Sequence, residues 1–279
     1  MRMARRMALY CAMKEITQPI FDGTYSITTA GGYKYMYLKS SGTLTIVDKA
    51  EYDLFCVGGG GASGYRSANS YHFSGSGGGG YTSTTLSKTI SSGSYVVTIG
   101  SGATAPTIKT DTPVQGGATS IGSLCSATGG VSGYNESAGK GGSGGGAAAY
   151  CEDSETEDWV AGKSGGSNGS AGGSNTGNTG GAGQGTTTRA FGETSGTLYA
   201  GGGGGAGTAP WNYTDHRGGL GGEGGGGNGT YSNSTSYSAT SGTANTGGGA
   251  GGHASGQGTQ SASSKVGGSG LAIIRWKVA

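Results

Sequence analysis

Proline is scarce, with four residues in 279. That excludes collagen, which needs abundant proline or hydroxyproline and a glycine at every third position. Charge is scarce as well: Asp, Glu, Lys and Arg make up 11% of the chain and the net charge is +2. A balance this weak and dispersed gives no reason to expect nucleic-acid binding. The basic cluster is Arg2, Arg5 and Arg6, and the acidic one is Glu152, Asp153, Glu155, Glu157 and Asp158. The four cysteines, Cys11, Cys56, Cys125 and Cys151, show no CxxC spacing. They are too sparse for a disulfide framework, so reduced thiols are expected, with Cys56 and Cys125 acting as small buried apolar residues. No run of about 18 apolar residues exists, so no transmembrane helix and no membrane insertion are expected. Residues 1–13 lack a continuous apolar stretch and a cleavage site, so no secretory signal is expected there. No motif recurs at a fixed period, which argues against silk-like repeats.

What the chain has in excess is glycine, 68 residues, in blocks such as 58–61, 77–80, 201–205 and 224–227. Each glycine loses roughly 0.5–1 kcal/mol more than alanine when fixed in regular structure. Over so many positions the cost needs a reason. The blocks are either flexible linkers or backbones packed too closely for any side chain. Linkers come with polar, often charged sequence and nothing apolar to anchor them. Here the large apolar residues gather in short runs at 36–57, 81–99, 121–124 and 271–278, framing the glycine blocks.

Residues 1–24 form a distinct leader, either a short amphipathic helix or an arm docking on a partner. Residues 25–128 read as a β-domain. TYSITT alternates; KYMYLKSSGTLTIVD reads as two strands joined at residues 40–42; EYDLFCV runs into the first polyglycine block. YTSTTLSKTI and SYVVTIG read as a hairpin across residues 91–93. GGATSIGS and LCSATGG add two short pieces. Residues 129–270 carry almost no strand or helix signal, yet the chain ends on LAIIRWKV, a strong strand. A disordered tail does not finish on a core strand. Residues 271–279 must therefore return to the β-domain, which makes the glycine region an ordered insertion closed at both ends.

The fold expected is all-β: an antiparallel β-sandwich-like domain carrying an inserted glycine-rich bundle of polyglycine-II helices. Polyproline-II geometry has three residues per turn, a rise of about 3.1 Å and no internal hydrogen bonds. Stripped of side chains, such helices can lie side by side and bond their N–H and C=O groups to neighbours.

Several segments then carry a resemblance: YDLFCVGGGG, GGGGYTSTTL with GSYVVTIGSGA, GGATSIGSLCSATGG, YAGGGGGAG, GTANTGGGAGG and GGSGLAIIRWKV. In this order, over residues 42–279, they resemble the glycine-rich domain of bacteriophage tail and fibre proteins. The resemblance implies a virion protein assembled in the host cytoplasm, carrying a polyglycine-II bundle near the host-contacting end. It implies other virion proteins as partners through the N-terminal region, and by analogy a homo-oligomer, a trimer.

Aromatic and polar residues interrupt the glycine blocks: Tyr65, Tyr71, His72, Phe73, Trp159, Trp211, Asn212, Tyr213, His216, Tyr231 and Tyr237. Joined to a bundle they would sit at helix ends, where rings stack and polar tips hydrogen-bond a host glycan or protein. The competing reading is that they cap the bundle or pack between subunits, leaving a purely structural spike or decoration protein. An ice-binding protein is a third reading, which would need a regular Thr or Ala face. The acidic stretch lacks the D-x-D-x-D-G pattern of a Ca²⁺ loop, and the G-x-G-x-x-G matches follow no strand and open no helix. The serines lack a G-x-S-x-G setting and His72, His216 and His253 are scattered, so neither an enzyme nor a cofactor or metal is expected.

Overall fold

The computed structural model describes residues 15–64, 72–104, 106, 112–149, 161–175, 177–207, 218–230, 239–255 and 265–278. Its strands are β1 (Ile20–Phe21), β2 (Tyr25–Ala30), β3 (Tyr33–Leu38), β4 (Gly42–Ile46), β5 (Ala50–Val57), β6 (His72–Phe73), β7 (Thr82–Ile90), β8 (Gly93–Thr98), β9 (Thr119–Ile121), β10 (Cys125–Ala127), β11 (Ala254–Ser255) and β12 (Leu271–Lys277). No α-helix occurs among the described residues; one 3-10 turn spans Ala190–Gly192. Two antiparallel sheets carry the fold, in the orders β1-β4-β8-β9-β10 and β2-β3-β12-β5-β7. The terminal strand β12 is central in the second sheet, paired with β3 on one side and β5 on the other.

Period-two alternation decides what each strand buries. On β12, Ala272, Ile274 and Trp276 face the first sheet; on β5, Tyr52, Leu54 and Cys56 do the same. They meet Phe21, Leu44, Ile46, Val97, Ile121 and Cys125 in one core, a sandwich-like arrangement. The intervening residues Phe55, Val57, Leu271 and Ile273 face the other way and pack under Phe191, Tyr199 and Ala200. The second sheet is thus covered on both faces, which explains why β5 and β12 read as nearly continuous apolar runs.

Arg275 sits on that outer face. Its Nε donates to Asp53 at 2.8 Å, and its guanidinium lies 3.9 Å from the Phe191 ring centroid and 4.6 Å from that of Tyr33. It also pairs with Glu193. One cation therefore ties the end of the sheet to the segment that covers it. Cys56 and Cys125 are buried free thiols within the shared core, as expected. The nearby Cys125 side chain and burial together push the Cys56 thiol up.

The expected hairpin across residues 91–93 does not form. β7 adds to β5 in one sheet and β8 adds to β4 in the other. Ile90 and Val97 both point into the shared core from opposite sheets. The short link between the strands carries the chain across the core instead of folding it back. The small hairpin β9–β10 does form, turning through Gly122 at φ 48.

β-structure and glycine structure alternate along the chain rather than following one another. Glycine segments leave the sheets at 57–64, 99–104 and 128–134 and return at 73–81 and 112–118, interleaved with those beyond residue 135. β1 lies inside the leader of residues 1–24 and pairs with β4, so the end of that leader belongs to the first sheet.

The glycine segments bond to one another with a three-residue repeat. Gly58, Gly61 and Gly64 donate to Tyr81, Gly78 and Gly75. Between them, Gly60 and Ser63 donate to Gly268 and Lys265, and Gly59 donates to Gly117. The same repeat links Ser74, Gly77 and Gly80 to His253, Ala250 and Gly247, and Gly201, Gly204 and Gly207 to Gly224, Gly227 and Thr230. Successive N–H groups thus point to different neighbouring segments. This leaves no room at the contacts: a Cβ on Gly59 would lie 2.0 Å from the Ser101 carbonyl oxygen, and one on Gly204 1.9 Å from that of Gly219. Where a side chain does occur inside, it is small and used. The Ser76 hydroxyl lies 2.8 and 2.7 Å from the carbonyl oxygens of Gly146 and Gly203.

Candidate functional site at the far end of the glycine array

The segments run alternately away from the sheets and back, so the array has two ends. The near end joins the sheets. There Gly58 bonds Tyr81, Ala200 bonds Thr246, Gly247 bonds Ser269 and Gly270 bonds Gly100. At the far end a second chain of backbone bonds joins residues distant in sequence. Ser63 donates to Lys265, Gly64 to Gly75, Gly75 to Asn135, Ala148 to Glu136, Ala149 to Ala206, Gly207 to Thr230 and Thr230 to Gly252. Two connections at this end are tight turns, with reciprocal bonds between Tyr134 and Ser137 and between Asn175 and Asn178. The other connections begin and end on the same patch.

Those connections hold most of the aromatic residues singled out from the sequence. Tyr65, Tyr71, Trp159, Trp211, Asn212, Tyr213, His216, Tyr231 and Tyr237 lie outside the described residues, as does the acidic stretch 152–158. Their described flanks (residues 64, 72, 149, 161, 207, 218, 230 and 239) border this end of the array. The two remaining candidates are on β6. His72 pairs through its backbone with Ser255 of β11. Phe73 is buried and packs with Ala148, Ala206 and Ala254, closing the end of the array with an apolar plug. Its ring therefore serves packing.

Sequence reasoning missed the platform around the plug. The Asn175 and Asn178 amides both donate to the Ala148 carbonyl, at 2.7 and 3.3 Å. Asn next to Gly and Thr is a turn signal, but the carbonyl it reaches is far away in sequence. His253 lies between the plug and Ser74, whose hydroxyl accepts its backbone N–H at 2.8 Å. Neither ring nitrogen has a partner among the described residues. Burial, aided by Lys265, pushes its pKa down to about 4 from 6.5. A neutral, buried histidine stabilises the fold fully above about pH 6.5, and that contribution is lost as the pH falls towards 4. Melting temperature should therefore drop across this window, and the drop should be smaller in His253→Leu. Equal drops in the two proteins would show that His253 does not titrate as its surroundings dictate.

Among the described residues no group of three His, Cys, Asp or Glu side chains is placed to hold a metal ion. None of the described helical structure is long and apolar enough to cross a membrane. Between the described flanks at this end, the sequence of the connections is of mixed aromatic and polar composition.

A family model described as a glycine-rich domain matches residues 39–277, and the chain belongs to that family. The match takes in β4 to β12 and the glycine segments, and leaves β1, β2 and β3 outside it. No curated protein matches the chain.

Proposed function

We propose that the glycine segments are polyglycine-II helices and that the protein is a bacteriophage virion component, at a tail or fibre tip, whose far-end connections contact the host cell surface. A helix with three residues per turn directs successive N–H groups to three sides. The three-residue repeat of the inter-segment bonds is what such helices packed in parallel and antiparallel would make. The observation that carries the functional reading is the segregation of composition. Outside the sheets and the segment that covers them, the aromatic residues fall mostly in connections whose described flanks border one end, while the opposite end is occupied by the sheets. Recognition surfaces are commonly loops held by a rigid scaffold. The sheets and residues 1–24 would face the particle, and the connections would face a glycan or protein of the host.

Replacing residues 210–217 by a Gly-Ser linker of equal length tests this. The prediction is a loss of most adsorption to host cells by particles whose composition and morphology are unchanged. Unchanged adsorption would remove that connection from the contact surface. If replacing the other far-end connections also left adsorption intact, a purely structural virion role would stand in place of receptor contact.

A further inference from the structure

The exposed sheet edges are unequally protected. β1 has two residues and β10 has three, too short to template another strand. β7 is long, but its pairing with β5 is broken by a bulge at Tyr52/Leu54, where Ser87 takes φ 48, and Lys88 follows. Short strands, bulges and lysines are the usual means of blunting an edge. β2 has none of them. It is six residues, YSITTA, without charge, proline or glycine. It pairs with β3 in unbroken register and has no second partner strand among the described residues.

The phase of its free groups follows from the ladder. Lys39 donates its N–H to the Thr24 carbonyl, so residues 24, 26, 28 and 30 exchange bonds with β3. Tyr25, Ile27 and Thr29 then direct their N–H and C=O groups outwards. These residues stand opposite Leu38, Met36 and Lys34, so they share the core-facing side of the sheet. Ile27 is half-buried against the margin of the core, and Tyr25 is exposed. The hydrophobic layer thus ends at this edge half covered.

We propose that β2 is a self-association edge on which a second copy of the chain pairs antiparallel, joining the two sheets into one. A two-fold axis through Ile27 sets it opposite the partner's Ile27 and sets Tyr25 opposite the partner's Thr29. Every outward donor then meets an outward acceptor. No like charges oppose each other along the strands, and Lys34, opposite Thr29 on β3, is paired with Glu15 at 3.2 Å. The two half-covered Ile27 side chains cover each other. An isologous contact of this kind consumes both edges and stops at a dimer, in contrast to the trimer suggested by analogy with phage fibres.

Sedimentation of the full-length protein over a concentration series, with Thr29→Pro as the variant, tests the proposal. Thr29 is exposed and its N–H makes no bond to β3, so the substitution removes an outward donor while leaving the ladder intact. The expected result is a dimer for the unmodified chain, a monomer for Thr29→Pro, and the same far-UV circular dichroism for both. Hydrogen exchange gives an independent reading on the unmodified protein: the amides of Tyr25, Ile27 and Thr29 should be protected at high concentration and exposed on dilution. A monomeric or trimeric unmodified chain, a dimer that survives Thr29→Pro, or exchange at these three amides that ignores concentration would each overturn it.

Discussion

Gly203→Ala is expected to lower the melting temperature by roughly 6–12 °C, taking about 3 kcal/mol for overpacking a tight interior at roughly 2–4 °C per kcal/mol for a chain of this size. The added Cβ would lie 2.0 Å from the carbonyl oxygen of Ala250. Relief by a backbone shift is blocked, because the Gly203 N–H donates to Gly77 at 2.9 Å and its carbonyl accepts from Gly146 at 2.8 Å. Moving away from one neighbour breaks bonds to two others. Gly185→Ala is the matching control. It sits at φ 76 with nothing within 4 Å of the added carbon, so only left-handed strain of about 1–2 kcal/mol is expected. Thermal melting of the two variants separates close packing from conformational preference. Equal effects would mean that the glycines are retained for backbone freedom alone.

Ile274→Ala should cost about 2–5 kcal/mol, the range for truncating a fully buried aliphatic side chain. Ile274 is completely buried at the centre of β12, opposite Met36 on one side and Leu54 on the other. β12 also continues directly from the glycine segment 265–270, whose Gly268 and Gly270 bond to Gly248 and Gly100. The loss should therefore appear as one cooperative transition moved to lower temperature, with sheets and glycine array melting together. Two separated transitions in calorimetry, with only one of them shifted, would show the array to be an independent unit.

Much of this architecture is legible in the sequence, and residues 271–277 are the reason. LAIIRWK is short, follows a glycine block and carries β-branched and aromatic residues, so it reads as a buried strand, and it closes the glycine region onto the sheets before it. β3, β4, β5, β9 and β10 are legible for the same reason: β-branched and aromatic residues bounded by glycine. Partner choice is not legible. β7 and β8 are separated by a turn that suits a hairpin, yet they join different sheets, because Ile90 and Val97 are both drawn into a core between the sheets. Alternation marks which side of a strand is apolar, but not which edge it joins. Nor does a local pattern reveal that 57–64 and 73–81 belong to the same array as 201–207 and 247–255. Those bonds run between glycines, whose identity carries no address. At the far end, the aromatic residues are conspicuous by composition. The buried role of Phe73 depends on Ala148, Ala206 and Ala254, which no spacing brings together.

The central claim is that the glycine runs are packed structure and not linkers. Residue-resolved hydrogen exchange tests it most directly. The amides of Gly59, Gly60, Gly130, Gly203 and Gly249 all donate to carbonyls of other segments at 2.8–2.9 Å. They are predicted to be protected to a degree comparable with Leu54 and Ile274, opening only with the whole fold. Exchange of these glycine amides at the rate of an unstructured peptide, while the strand amides stay protected, would contradict the account.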